Sequence, residues 1–149
     1  MGDRLKEMLE RHEGRRRKPY HCPAGHRTIG IGWNYDANPL PPEIAAYLRI
    51  HGEITDTMIY QLLDISIDAA ERNCRDIYPD FGEFSENRRF ALIDFMFNVG
   101  PGTAQKFRRA NRAINAGDWE SAADEMMDSA WYQQVGHRGP EIVEMIRKG

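Results

Sequence analysis

Between His12 and Asn34 the chain reads HEGRRRKPYHCPAGHRTIGIGWN, a stretch that holds three histidines, four arginines, one glutamate and one cysteine. Three chemistries could use that set. His21, Cys22 and His26 are close enough for a metal, but structural zinc takes paired ligands at short repeated spacings, and none repeats here. Solvated loop histidines are the plainer and preferred reading. Cys22 could be a nucleophile if a nearby cation favours its thiolate. His21, its neighbour in an extended segment, points the other way, which leaves His26 or the distant His51 and His137 as bases. Glu13 offers the third chemistry. It ends an amphipathic helix directly before a glycine, with Cys22 and Thr28 able to face it across a tight hairpin. A carboxyl group partly withdrawn from water can keep its proton and act as a general acid. A surface glutamate is the plain alternative, and the residue types alone leave the choice open.

These side chains need elements to hold them. Leu5, Met8, Leu9 and His12 recur at helical spacing, which predicts a short first helix closed by Gly14. From Arg15 to Asn34 the residues alternate loosely between Pro19, Pro23, Gly25, Gly30 and Gly32, the pattern of two or three short antiparallel strands. NPLPPE is a loop, and Pro42 suits the first position of a helix over Glu43–Ile50. Thr55 caps a long helix that Pro79 ends after Tyr78. Ser85 caps the next, ENRRFALIDFMFNV, whose second half is apolar nearly all round and therefore buried. Beyond GPGT the pattern predicts a helix near Gln105–Ala116 and another capped by Asp118, with Trp119, Ala122, Ala123, Met126 and Met127 on one face. A last helix starts at Pro140. The expected architecture is α+β and mostly helical: a sheet lobe over about 13–54, a connecting helix over about 55–78, and a helical lobe over about 79–149 that includes the first helix. A cleft between such lobes is the default place for a site.

The 149 residues suffice for one compact domain with a real core. Their composition, 41% apolar and 29% charged, is that of a globular protein. No run is long and apolar enough for a membrane span, and the N-terminal residues lack the apolar stretch and cleavage site of a secretory signal. Two cysteines make no disulfide framework. Cys74 lies on the stripe Leu63, Ile67, Ala70, Cys74, Ile77 and reads as a buried small hydrophobe. The charge is uneven: residues 1–34 carry eight Lys/Arg against four Asp/Glu, the rest twelve against nineteen. That basic segment suits a polyanionic partner.

The stretch RHEGRRRKPYHCPAGHRTIGIGWN resembles the N-terminal active-site segment of the T-even phage lysozymes, glycoside hydrolase family 24. Their pattern is E-x8-[D or C]-x5-T followed by I-G-hydrophobic-G, met here by Glu13, Cys22, Thr28 and IGIG. ITDTMIYQLLDISIDAA resembles the long helix between the family's lobes, FALIDFMFNVGPGT its central buried helix, and AGDWESAADEM and SAWYQQVGHRG its C-terminal segments. The resemblance covers almost the whole chain. It implies a lysozyme-like fold and a muramidase that cleaves the β-1,4 bond between N-acetylmuramic acid and N-acetylglucosamine in bacterial peptidoglycan. Glu13 would protonate the departing oxygen, and Thr28 would position the water or the second catalytic group. Arg138 would pair with the catalytic glutamate and join the substrate-binding set, and Phe97 would form an aromatic wall for the sugar, its other reading being a plain core residue. The second acid of the best-known members is aspartate; the sulfur of Cys22 would replace it as base, cation stabiliser or nucleophile. Asn34, Ala110 and Glu125 stand where other members place different sugar-contacting groups.

The resemblance further implies a monomer with no cofactor and no metal, made in a bacterial host cytoplasm, without stable membrane insertion, that meets the wall through a pore or after lysis in a phage or prophage setting. Two alternatives stand beside it. One is a catalytically inactive lysozyme-like module that binds peptidoglycan. The other, a nucleic-acid binder, rests on the RRRK run alone and predicts salt-sensitive binding to any DNA.

Overall fold

The computed structural model describes residues 3–149. Its elements run α1 (Asp3–Glu13), β1 (Arg16–His21), β2 (Arg27–Gly30), β3 (Trp33–Asn34), α2 (Pro42–His51), α3 (Asp56–Ile77), a 3-10 turn (Phe81–Glu83), α4 (Glu86–Lys106), α5 (Arg108–Asn115), α6 (Trp119–Met127), α7 (Ala130–Gln134) and α8 (Arg138–Lys148). This is the expected α+β, mostly helical architecture with a small antiparallel sheet. The chain divides into two compact units within α3, residues 1–66 and 67–149. The helix expected to stand between lobes thus contributes to both, and α1, expected with the helical lobe, falls in the first unit.

In the first unit, α1 buries Leu5, Met8 and Leu9, each stabilising by about 1.5–3 kcal/mol. It stops where the sequence indicates: Gly14 takes φ +78° and its N–H donates to the Glu10 carbonyl at 2.8 Å, a left-handed cap closed to most residues with a Cβ. On its side, Tyr60 of α3 donates to the Glu10 carboxylate and Lys6 pairs with Asp64 at 2.9 Å. The sheet order is β1-β2-β3, antiparallel throughout, with Tyr20 opposite Thr28, His21 opposite Arg27, and Thr28 opposite Asn34. A bulge lies between Arg16 and Tyr20, so β1 bends as it leaves α1. Its outer edge is tied down. The Ile54 N–H donates to the Arg17 carbonyl at 2.9 Å, and the Arg17 guanidinium grips both carboxylate oxygens of Asp56, at 3.1 and 2.8 Å, where α3 begins. Thr55 caps that helix as expected, accepting from the Met58 N–H at 3.1 Å.

In the second unit α5 packs on α6, and α8 on α4 and α6. Residues Phe90–Met96 of α4 are all buried, as a helix apolar nearly all round must be. Cys74 is fully buried among apolar groups, its thiol pushed up by that burial. Ser85 and Asp118 cap α4 and α6 as expected, accepting from the N–H groups of Arg88 and Ser121. Four details differ. The GPGT segment is helical rather than a loop: Gly100 breaks α4 at φ 79°, ψ 163°, and Pro101, preset for a first helical turn, restarts it as far as Lys106. The following helix accordingly begins at Arg108, after Phe107, rather than near Gln105. A five-residue helix, α7, precedes α8; Ser129 caps it by accepting from the Tyr132 N–H, and it is too short to show a period. Helix α8 starts at Arg138, two residues before Pro140.

Candidate active site

The residues singled out in the N-terminal segment lie on three consecutive pieces of the first unit. Glu13 is the last residue of α1 and half-buried. Cys22 directly follows β1 and is half-buried, and Thr28 lies on β2 with 3% of its surface exposed. The connection between the strands is tight. The Cys22 N–H donates to the His26 carbonyl at 3.0 Å, and the Gly25 N–H to the Cys22 carbonyl at 2.8 Å, with Pro23 at the second turn position it favours. Cys22 therefore heads the turn.

That position has an electrostatic character. Burial pushes the Cys22 thiol up, but hydrogen bonds with the backbone of His26, Ala24 and Gly25 and with the Thr28 side chain outweigh it, so the thiol lies below its ordinary value. Backbone donors that surround a turn head favour an anionic group there. The Thr28 hydroxyl also donates to the His26 carbonyl at 3.0 Å. The structure thus brings Cys22 and Thr28 together on one end of the hairpin.

Tyr20 joins this face, because it pairs with Thr28 across the ladder. Burial and then the charge of Glu13 push its phenol up, while Arg16, stacked 4.5 Å over its ring, pulls it down. Tyr20 is therefore in electrostatic reach of Glu13, and sequence reading passed over it. The cross-strand register was the signal that could have found it.

Phe97 and Arg138 belong to the second unit. Phe97 is half-buried on α4, neither a wholly core residue nor an exposed one. Arg138 opens α8, and its Nε donates to the Asp94 carboxylate at 2.7 Å. Asp94 was also missed, although a single carboxylate inside the apolar run Phe90–Met96 is legible as an anomaly. On the same helix Asn98 accepts from the Trp131 indole at 2.8 Å, and Trp131 meets Phe95 edge-on at 5.1 Å.

Among the described residues no group of three His, Cys, Asp or Glu side chains could hold a metal ion. His21, the last residue of β1, and His26, in the turn, are both exposed. No helix among those residues is long and apolar enough to cross a membrane.

A carboxyl at a helix end, a turn rich in backbone donors and a buried threonine on the strand beside it belong to a small sheet joined in sequence to a bundle of helices, an α+β arrangement of the lysozyme-like class. The chain belongs to the phage lysozyme family, which it matches over residues 10–147. It is 27% identical to probable T4-type lysozyme 2 of Dictyostelium discoideum, over 97% of this chain and 94% of that protein. It is 28% identical to an endolysin of Acyrthosiphon pisum secondary endosymbiont phage 1, over 89% and 82% respectively. The pre-baseplate central spike protein Gp5 of Enterobacteria phage T4 is 31% identical over 97% of this chain, which spans 28% of that protein's length.

Proposed function

We propose that the protein is a muramidase of the endolysin kind, which hydrolyses the β-1,4 bond from N-acetylmuramic acid to N-acetylglucosamine in bacterial peptidoglycan. Glu13 is the general acid that protonates the departing oxygen. Cys22 takes the place of the second acid, and Thr28 holds the water or the sulfur in position. Phe97 and Arg138 contact substrate. The observation that carries this reading is the place of Cys22 at the head of the hairpin that follows Glu13, its thiol held below the ordinary value and Thr28 buried on the facing strand. Membership in the phage lysozyme family supports the same chemistry. A thiol drawn toward thiolate by backbone donors can stabilise a developing cation, accept a proton from water, or attack the anomeric carbon. The protein acts as a monomer and needs no cofactor. It reaches the wall from the cytoplasm after release through a pore or lysis.

The test is turnover of purified peptidoglycan by the chain and by Glu13→Gln, scored by new reducing ends. Muramic acid reducing ends from the first and none from the second are expected. No cleavage by either, with tight binding to the glycan, would instead establish an inactive binding module. Salt-sensitive binding to any duplex DNA would point to a nucleic-acid partner.

A further inference from the structure

Thr28, Asp94 and Arg138 are the buried polar or charged residues among those described, and two of the three form one ion pair. Asp94 is fully buried, with Phe90, Ala91, Leu92, Ile93, Phe95 and Met96 of α4 buried around it in sequence. Arg138 is 8% exposed. Stability does not ask for this pair. Desolvating two charges costs about as much as their attraction returns, and replacing such pairs by apolar groups is often neutral or stabilising. Arg138 also occupies the first turn of α8, the end of a helix at which its dipole disfavours a cation. Two penalties therefore meet at one residue, and the Asp94 carboxylate, 2.7 Å from its Nε, works against both.

The geometry is also specific. Asp94 holds the guanidinium by its edge: Nε donates to the carboxylate at 2.7 Å, and Nη2 leans on the Asp94 backbone carbonyl at 3.4 Å. A planar guanidinium gripped at Nε has its plane and the direction of its Nη groups decided. The backbone beneath it is fixed independently. A Cβ at Gly139 would meet the Tyr132 ring at 3.0 Å and the Tyr132 carbonyl at 3.2 Å, so α8 begins closely packed against α7. Phe97 stands three residues beyond Asp94, on the same face of α4.

We propose that Asp94 is a positioning residue for the hydrolysis: it neutralises and orients Arg138, so that Arg138 acts as a fixed hydrogen-bond donor rather than a mobile cation. The inference rests on the muramidase reading and on the part that reading gives Arg138. Asp94 itself touches no substrate and acts through the guanidinium.

The experiment is steady-state hydrolysis of purified peptidoglycan by the full chain and by R138M, D94N, D94L and D94L/R138M, each with urea unfolding in parallel. R138M and D94L should each lower kcat/KM about 100-fold, the cost of misplacing a positioned group by about an ångström. D94N keeps an oxygen toward Nε and should recover part of that loss, which a residue serving only to hold the core together would not produce in kcat. D94L should add nothing in the R138M background, because Asp94 works only through Arg138. The double variant should unfold at a urea concentration no lower than the parent's while inactive. If D94L alone does not fold, D94N and the double variant decide. Parental kcat/KM in D94N together with additive losses in the double variant would overturn the inference. Parental activity in R138M, beside an inactive Glu13→Gln, would remove it while leaving the hydrolase intact. No turnover by the parent would mark failure of the muramidase reading itself.

Discussion

Thr28, buried on the strand that faces Cys22 across the hairpin, donates to the His26 carbonyl at 3.0 Å, and its hydroxyl is one of the groups that hold the Cys22 thiol below its ordinary value. A hydroxyl has one proton and two lone pairs. With Cys22 as a thiol, Thr28 can accept from sulfur and keep its donation to His26. With a thiolate, sulfur and carbonyl compete for that proton. Thr28 is therefore matched to the protonation state of its partner, and Thr28→Val should raise the Cys22 thiol toward its ordinary value. The pH dependence of alkylation by iodoacetamide measures this; an unchanged midpoint would break the link.

The same hydrogen bonds make a statement about stability. Because the folded state holds the Cys22 thiol below its unfolded value, the fold gains stability that is present above the unfolded value and lost as pH falls through the folded one. Urea unfolding of the parent should therefore strengthen relative to Cys22→Ser as pH rises across that window. Parallel curves would show that sulfur ionisation is not coupled to the fold.

Under native conditions one thiol should react. Cys74 is fully buried and its thiol raised, whereas Cys22 is half-buried at a turn and lowered. Capping Cys22, confirmed by mass, should abolish peptidoglycan hydrolysis, and Cys22→Ala should do the same while Cys22→Asp retains turnover. Full activity after verified modification would exclude Cys22 from the chemistry.

Two glycines of the second unit should fail for different reasons. A Cβ at Gly100 meets nothing within 4 Å, yet its φ of 79° and ψ of 163° belong to glycine alone, so Gly100→Ala should cost about 1–3 kcal/mol in backbone strain. Gly139 has ordinary backbone but no room beside Tyr132, so Gly139→Ala should cost about 1–3 kcal/mol through overpacking. Urea midpoints measure both. Truncating Tyr132 to Ala alongside should relieve the ring's share of the second penalty, the carbonyl contact at 3.2 Å remaining, and leave the first untouched.

Most of the helices were legible because their signals are local. The spacing of Leu5, Met8 and Leu9, the caps at Thr55, Ser85 and Asp118, and the stop at Gly14 each act within one or two turns. The short α7 escaped because five residues hold no period, and the restart after Gly100 because a glycine followed by proline reads as a loop until its dihedral angles are known. The spacing of Glu13, Cys22 and Thr28, with the resemblance it carries, was enough to propose an acid at a helix end and a sulfur and a hydroxyl on the hairpin that follows.

What the chain written out in one dimension could not contain is the partner of each charge. Asp94 and Arg138 lie 44 positions apart, Arg17 and Asp56 39, and only folding brings them to hydrogen-bonding distance. Nor does residue type say which donors face a sulfur: the lowered thiol of Cys22 comes from the Thr28 hydroxyl and from backbone N–H groups that all residues but proline carry and only the turn aligns. Periodicity and capping are encoded in neighbouring side chains. The orientation of a guanidinium and the protonation of a thiol depend on groups that converge through space, and tertiary structure alone decides them.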